Sequence, residues 1–174
     1  MQLDKYQEET AEWLQKIVIS LDLCPFAVKV FINKTIAYST INFHDLLKLY
    51  NHILKICAQL LDEKAEVTTA LIIIPEGLEP FLKYLDTYEL IEDLLEKDTP
   101  QIQLASFHPK YLFEGTQDND VTNYTNRSPY PMIHLLRKAD VSEAIDSYPE
   151  VHKIPAKNME TLKALGLSKM KGLI

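Results

Sequence analysis

Polar chemistry gathers in one stretch of this chain, Ser106 to Arg137, which reads SFHPKYLFEGTQDNDVTNYTNRSPYPMIHLLR. His108 sits between Phe107 and Pro109, and the proline that follows holds it extended. An imidazole that titrates near neutrality suits a general acid or base. Asn123, Tyr124, Thr125, Asn126, Arg127 and Ser128 are six consecutive side chains able to hydrogen-bond. Ser128 followed by Pro129 fits the cap and first position of a helix. A helix start beside the forked guanidinium of Arg127 makes an anion site, because free N–H groups, the helix dipole and the arginine all favour negative charge. Upstream, Cys24 precedes Pro25 where a helix would open. The dipole there lowers a thiol pKa and favours the thiolate nucleophile.

The catalytic candidates are therefore His108 and Cys24. The ligand-binding candidates are Arg127, Asn123, Asn126, Ser128 and Tyr124. Each has a plainer reading. Cys24 also fits as a small buried hydrophobe in an apolar turn, and the loop as a segment tied down by its own polar side chains. The chain has only two arginines, Arg127 and Arg137, and both fall in this stretch.

Several familiar sites are missing. There is no C-x-x-C, no H-E-x-x-H and no glycine-rich phosphate loop, and the chain has four glycines in all. A transition metal would need Cys24, His108 and His134 to come together with a carboxylate such as Asp118 or Asp120. No metal ligand set is assigned, and the cofactor stays unknown.

The elements that must position these residues follow from periodicity. Residues 3–21 carry a one-sided apolar stripe through Leu3, Tyr6, Trp13, Leu14, Ile17 and Leu21, which predicts a helix. Ile17-Val18-Ile19 also fits a strand. Residues 34–40 read as a first strand. Asn42 suits a cap, and Phe43 to Leu61 an amphipathic helix with Cys57 on its apolar face. Val67 to Ile74 is nearly all apolar, as a strand buried on both faces should be. Phe81 to Leu95 reads as a helix, Asp98-Thr99-Pro100 as a turn, and Gln101 to Phe107 as a third strand. Pro129 to Arg137 is expected to open a helix. Asp140 would cap the next one, with Glu143 completing a capping box. A last helix runs from Ala156 to Leu165 and ends at Gly166.

Alternating strands and helices predict the α/β class: a single-domain layered sandwich with a small, mainly parallel sheet of three to four strands flanked by helices. The domain spans residues 1–174, with 1–4 and 167–174 expected to be loose. Ligands in such sheets gather at the carboxyl ends of strands, where Pro75-Glu76 and His108-Pro109 fall.

The formal net charge is −7. No basic stripe exists to neutralise phosphates, so nucleic acid and anionic membrane are not expected partners. No apolar run reaches the roughly 18 residues of a membrane span. The start, MQLDKYQEET, is too polar for a secretory signal. Two cysteines are too few for a disulfide framework, so a reducing cytoplasm is the expected location.

Three stretches together resemble an uncharacterised bacterial family, domain of unknown function family 1415. They are Leu21-Asp22-Leu23-Cys24-Pro25-Phe26-Ala27, then Gln103-Leu104-Ala105-Ser106-Phe107-His108-Pro109, then Asn123-Tyr124-Thr125-Asn126-Arg127-Ser128-Pro129-Tyr130-Pro131 with His134-Leu135-Leu136-Arg137. The resemblance runs nearly the full length. It implies a single-domain soluble protein and no particular reaction. Cys24-Pro25-Phe26-Ala27 with Lys29 also resembles the active-site motif of glutaredoxin-like and omega-class glutathione transferase proteins. That likeness implies monothiol chemistry only, since no second cysteine stands at the dithiol spacing.

The leading expectation is an enzyme acting on a small anionic metabolite that bears phosphate or carboxylate. The alternative is a non-catalytic anion- or protein-binding adaptor, and a further alternative is a monothiol redox protein. A catalyst needs His108 and Arg127 to converge on a concave pocket. An adaptor needs an exposed patch. The oligomeric state is left open.

Overall fold

A computed structural model describes residues 2–173. Helix α1, Lys5–Trp13, begins with a reciprocal cap: Asp4 Oδ1 accepts from Gln7 N–H at 2.9 Å, and Gln7 Oε1 accepts from Asp4 N–H at 3.2 Å. It runs into a π-helical turn, Leu14–Ile19, so Ile17-Val18-Ile19 is helical and its apolar side faces the core. A short helix α2 follows, Ala27–Ile32. Strand β1, Ile36–Thr40, leads to α3, Leu46–Leu61. The cap of α3 is Asp45, not Asn42: its carboxylate accepts from Lys48 N–H at 2.9 Å. Then come β2, Thr69–Ile73, α4, Phe81–Asp98, and β3, Ile102–Phe107.

The expected helix from Pro129 is not there. Met132–Arg137 is a strand, β4. Its cause is visible in the residues: Pro131 disfavours helical backbone at Tyr130 and lacks an N–H of its own. The run that follows then fits a slot between two strands. With the helix gone, Ser128 caps nothing. Its hydroxyl donates to Tyr130 O at 2.6 Å and folds the turn into β4. Asp140 is likewise no cap. Helix α5 runs Lys138–Ser147 from Arg137, and Asp140 in its first turn accepts from Arg137 Nε at 2.7 Å. Helix α6, Ile154–Leu165, ends at Gly166 as expected. The tail differs from its expectation: Leu167–Lys171 forms α7 and buries Met170.

The sheet order is β1-β2-β4-β3. β1 and β2 pair in parallel, while β4 is antiparallel to both β2 and β3. The three strands expected from the sequence therefore run the same way, but β4 lies between the second and third. That insertion corrects the mainly parallel sheet: one of its pairings is parallel and two are antiparallel. The class stands as mixed α/β. One face, through Ala70, Ile72, Ile74, Ile133 and Leu135, packs on α3 and α4. The other, through Leu71, Ile73 and Met132, packs on α1 and its π turn, Tyr124, α6 and α7.

Candidate functional site

The connection from β3 to β4, residues 108–131, carries most of the candidates. His108 leaves the end of β3 toward the α3/α4 face. It is buried between the rings of Phe81 and Tyr84, at 5.1 and 5.0 Å. Its Nδ1 accepts from Lys110 N–H at 2.9 Å, so the ring proton sits on Nε2, which donates to Leu78 O at 3.0 Å. Burial lowers its pKa, an effect the Leu78 bond opposes. Both ring nitrogens are thus engaged and the neutral form is held. The turn that delivers Leu78 O depends on Gly77, at φ +98°, where a Cβ would stand 2.3 Å from Phe43 O.

The other polar residues fasten the loop to itself and to β3. Asn123 is fully buried: its Oδ1 accepts from Phe113 N–H at 3.0 Å and Thr116 Oγ1 at 2.8 Å, and its Nδ2 donates to Gln117 O at 2.8 Å. Asn126 Nδ2 donates to Ser106 O at 3.0 Å, and Asn126 O accepts from His108 N–H at 3.1 Å. Arg127 is buried. It donates from Nε to Tyr111 O at 3.1 Å and from Nη2 to Asp118 O at 3.0 Å and Asp118 Oδ1 at 2.8 Å. Its guanidinium lies 5.0 Å from the ring of buried Tyr124, and its carbonyl accepts from Trp13 Nε1 at 3.2 Å. Asp120 accepts from Thr122 N–H and Oγ1, an ordinary turn cap.

Cys24 lies on the opposite face of the sheet from His108, beside the Trp13, Ile17 and Leu162 cluster. It follows the helical N-terminal segment, not a strand. Burial raises its pKa, outweighing the backbone N–H groups of Phe26 and Ala27 that act to lower it. Asn158 of α6 holds Leu23 O at 2.8 Å and so fixes the peptide before the thiol. The structure therefore keeps Cys24 and His108 apart, and brings together Asn123, Tyr124, Asn126, Arg127 and His108 as one bonded network. His134 stands on β4 beside Thr69 Oγ1, with its ring 6.3 Å from that of Phe107. Among the described residues no group of three metal-ligating side chains forms.

Two surface hollows, of about 250 and 420 Å³, lie elsewhere, between α4 and β3 and beside α6. Neither is lined by His108, Cys24 or Arg127.

Sequence reasoning missed Trp13 as a partner of Arg127, and missed Tyr84. The Tyr84 hydroxyl accepts from Phe107 N–H at 3.1 Å and donates to Met132 O at 2.7 Å, bridging β3 and β4. A tyrosine inside an apolar helix stripe carries a hydroxyl that needs a partner when buried, and that was the signal.

A family model described as "Protein of unknown function (DUF1415)" matches residues 5–172. No curated protein and no solved structure matches the chain. No helix among the described residues is long and apolar enough to cross a membrane.

Proposed function

The chain belongs to the DUF1415 family of proteins of unknown function, and we propose that it is a non-catalytic protein-binding module. The observation that carries this reading is where the polar side chains are spent. The side chains of His108, Asn123, Asn126 and Arg127 all bond to backbone groups of the chain, so the loop is braced from within. Beside exposed Glu114, Gln117, Asp118 and Asn119, the braced loop displays two large apolar side chains. Leu112 and Phe113 are 41% and 36% exposed. Phe113 continues through the Tyr111 ring to Phe81 at the start of α4, whose neighbour Leu82 is 74% exposed. A rigid aromatic patch at the carboxyl ends of strands suits a partner chain, because aromatic anchors supply most of the energy of such contacts.

The rival reading, an enzyme for a small anionic metabolite, needs His108 and Arg127 to share a pocket. Monothiol redox work needs an activated Cys24. One experiment separates them. A thermal-shift panel of phosphorylated metabolites, carboxylates and glutathione is run with wild type and Arg127→Lys, alongside alkylation of the native thiols. We expect no selective anion stabilisation and slow labelling of both Cys24 and Cys57. A random-peptide display screen should return a motif whose binding is lost in Phe113→Ser. Selective stabilisation by one anion, lost in Arg127→Lys, would overturn the binding-module reading.

A further inference from the structure

The two edges of the sheet are finished differently. On β1, Tyr38 O accepts from Gln7 Nε2 of α1 at 3.4 Å, and the same amide reaches Thr40 Oγ1 at 3.3 Å. That helix lays a polar side chain over part of its edge, one way natural sheets cover an edge. β3 is the other edge. Beyond its end, Lys138 N–H donates to Gln101 O at 2.8 Å. Antiparallel ladders alternate, so Gln103 and Ala105 also turn their backbone groups to β4, while Ile102, Leu104 and Ser106 turn theirs outward. Two of the outward groups are used within the chain. Ile102 N–H donates to Thr99 O at 3.0 Å, and Ser106 O accepts from Asn126 Nδ2 at 3.0 Å. Ile102 O, Leu104 N–H, Leu104 O and Ser106 N–H remain, without a partner among the hydrogen bonds of the described residues.

This remaining set is its own complement. A second copy turned about a two-fold axis at Leu104, normal to the sheet, runs antiparallel to β3. Leu104 N–H of each copy then meets Leu104 O of the other, giving two bonds. Ser106 N–H of each meets Ile102 O of the other, giving two more. A longer ladder would also need Ile102 N–H and Ser106 O, and those are the groups the chain has already bonded internally. The approach is open: the hollow of about 250 Å³ beside this edge is lined by Leu95, Ile102 and Leu104, with Glu92, Glu96 and Lys138.

We infer that β3 pairs antiparallel with β3 of a second copy, joining two sheets into one across an isologous interface. The inference stands apart from the binding reading above, since it rests on the backbone groups of β3 and not on the apolar side chains, although Tyr111 of that patch bonds Ser106 Oγ at 3.2 Å. Sedimentation of the unmodified chain, with amide exchange followed across a concentration series, tests it. The expected result is a species of twice 20.0 kDa, with the Leu104 and Ser106 amides slowing as that species forms. Leu104→Cys in a Cys24→Ser background should give a disulfide-linked dimer under mild oxidation, because hydrogen-bonded antiparallel pairs place Cα atoms about 5.5 Å apart, within disulfide reach. A chain that stays at 20.0 kDa up to millimolar concentration overturns the inference. So does a dimer whose Leu104 and Ser106 amides exchange as fast as in the monomer, which would place the interface elsewhere. A lack of crosslinking alongside slow, concentration-dependent exchange would overturn the Leu104-centred register.

Discussion

Arg127 and Asp118 show how position decides the worth of an ion pair. The Asp118 side chain is 89% exposed, so its share of the pair is screened by water and worth under about 1 kcal/mol. The guanidinium is buried and its bonds to Tyr111 O and Asp118 O are charge-assisted, each worth about 1.5–3 kcal/mol. Arg127→Ala should therefore lose about 3–6 kcal/mol in urea unfolding, and Asp118→Ala less than about 1. Equal losses would show that the exposed carboxylate, not the carbonyls, holds the arginine. His134 gives a second residue-level test. Burial pushes its pKa down to about 4, and burial also lowers that of His108. A histidine held neutral in the fold stabilises it fully above the unfolded pKa of about 6.5, and that stability is lost as pH falls toward 4. Unfolding at pH 7 and pH 4.5 should show His134→Gln losing less than wild type on acidification, by about 1–3 kcal/mol. An unchanged difference would mean the ring charges freely in the fold.

At the scale of elements, the β3–β4 ladder depends on a residue from outside it. Tyr84 threads its hydroxyl from α4 between Phe107 N–H and Met132 O. Tyr84→Phe leaves both groups without their bridge in a buried site, which costs about 1–3 kcal/mol. Amide exchange should place the opening at the Phe107 end of the ladder; uniform loosening of the whole sheet would argue against the bridge. The strand β4 itself was the main misreading. Met132 to Arg137 has no strict alternation because β4 is paired on both sides and apolar on both faces. Such a run cannot be told from a buried helix by periodicity alone. Pro131 was the residue that argued against the helix. By contrast, α3 and α4 were legible because each presents one apolar face to one layer.

For the whole molecule, the tail contributes more than its position suggests. Met170 is fully buried with Trp13, Leu23 and Leu162. Removing residues 167–174 uncovers that cluster, for a loss of about 2–5 kcal/mol by the usual cost of emptying a core site. At about 2–4 °C per kcal/mol for a chain of this size, the melting temperature should fall by about 4–20 °C. A melting point within about 2 °C of wild type, less than the shift 1 kcal/mol produces in a larger domain, would mean the tail only rests on the surface.

Local physics in the sequence determined the α/β class, three strands that run one way, five of the helices and the position of the polar loop. Those depend on spacing within a few residues of each other. Tertiary structure alone decided that β4 enters between β2 and β3, that Ser128 turns rather than caps, and that Cys24 and His108 lie on opposite faces. It also decided where each polar side chain of the loop is spent. The physical reason is that a hydrogen-bonding side chain advertises capacity, not partner. Asn123, Arg127 and His108 had the same capacity for a ligand as for the backbone, and only the folded chain brought the backbone groups within 3.1 Å.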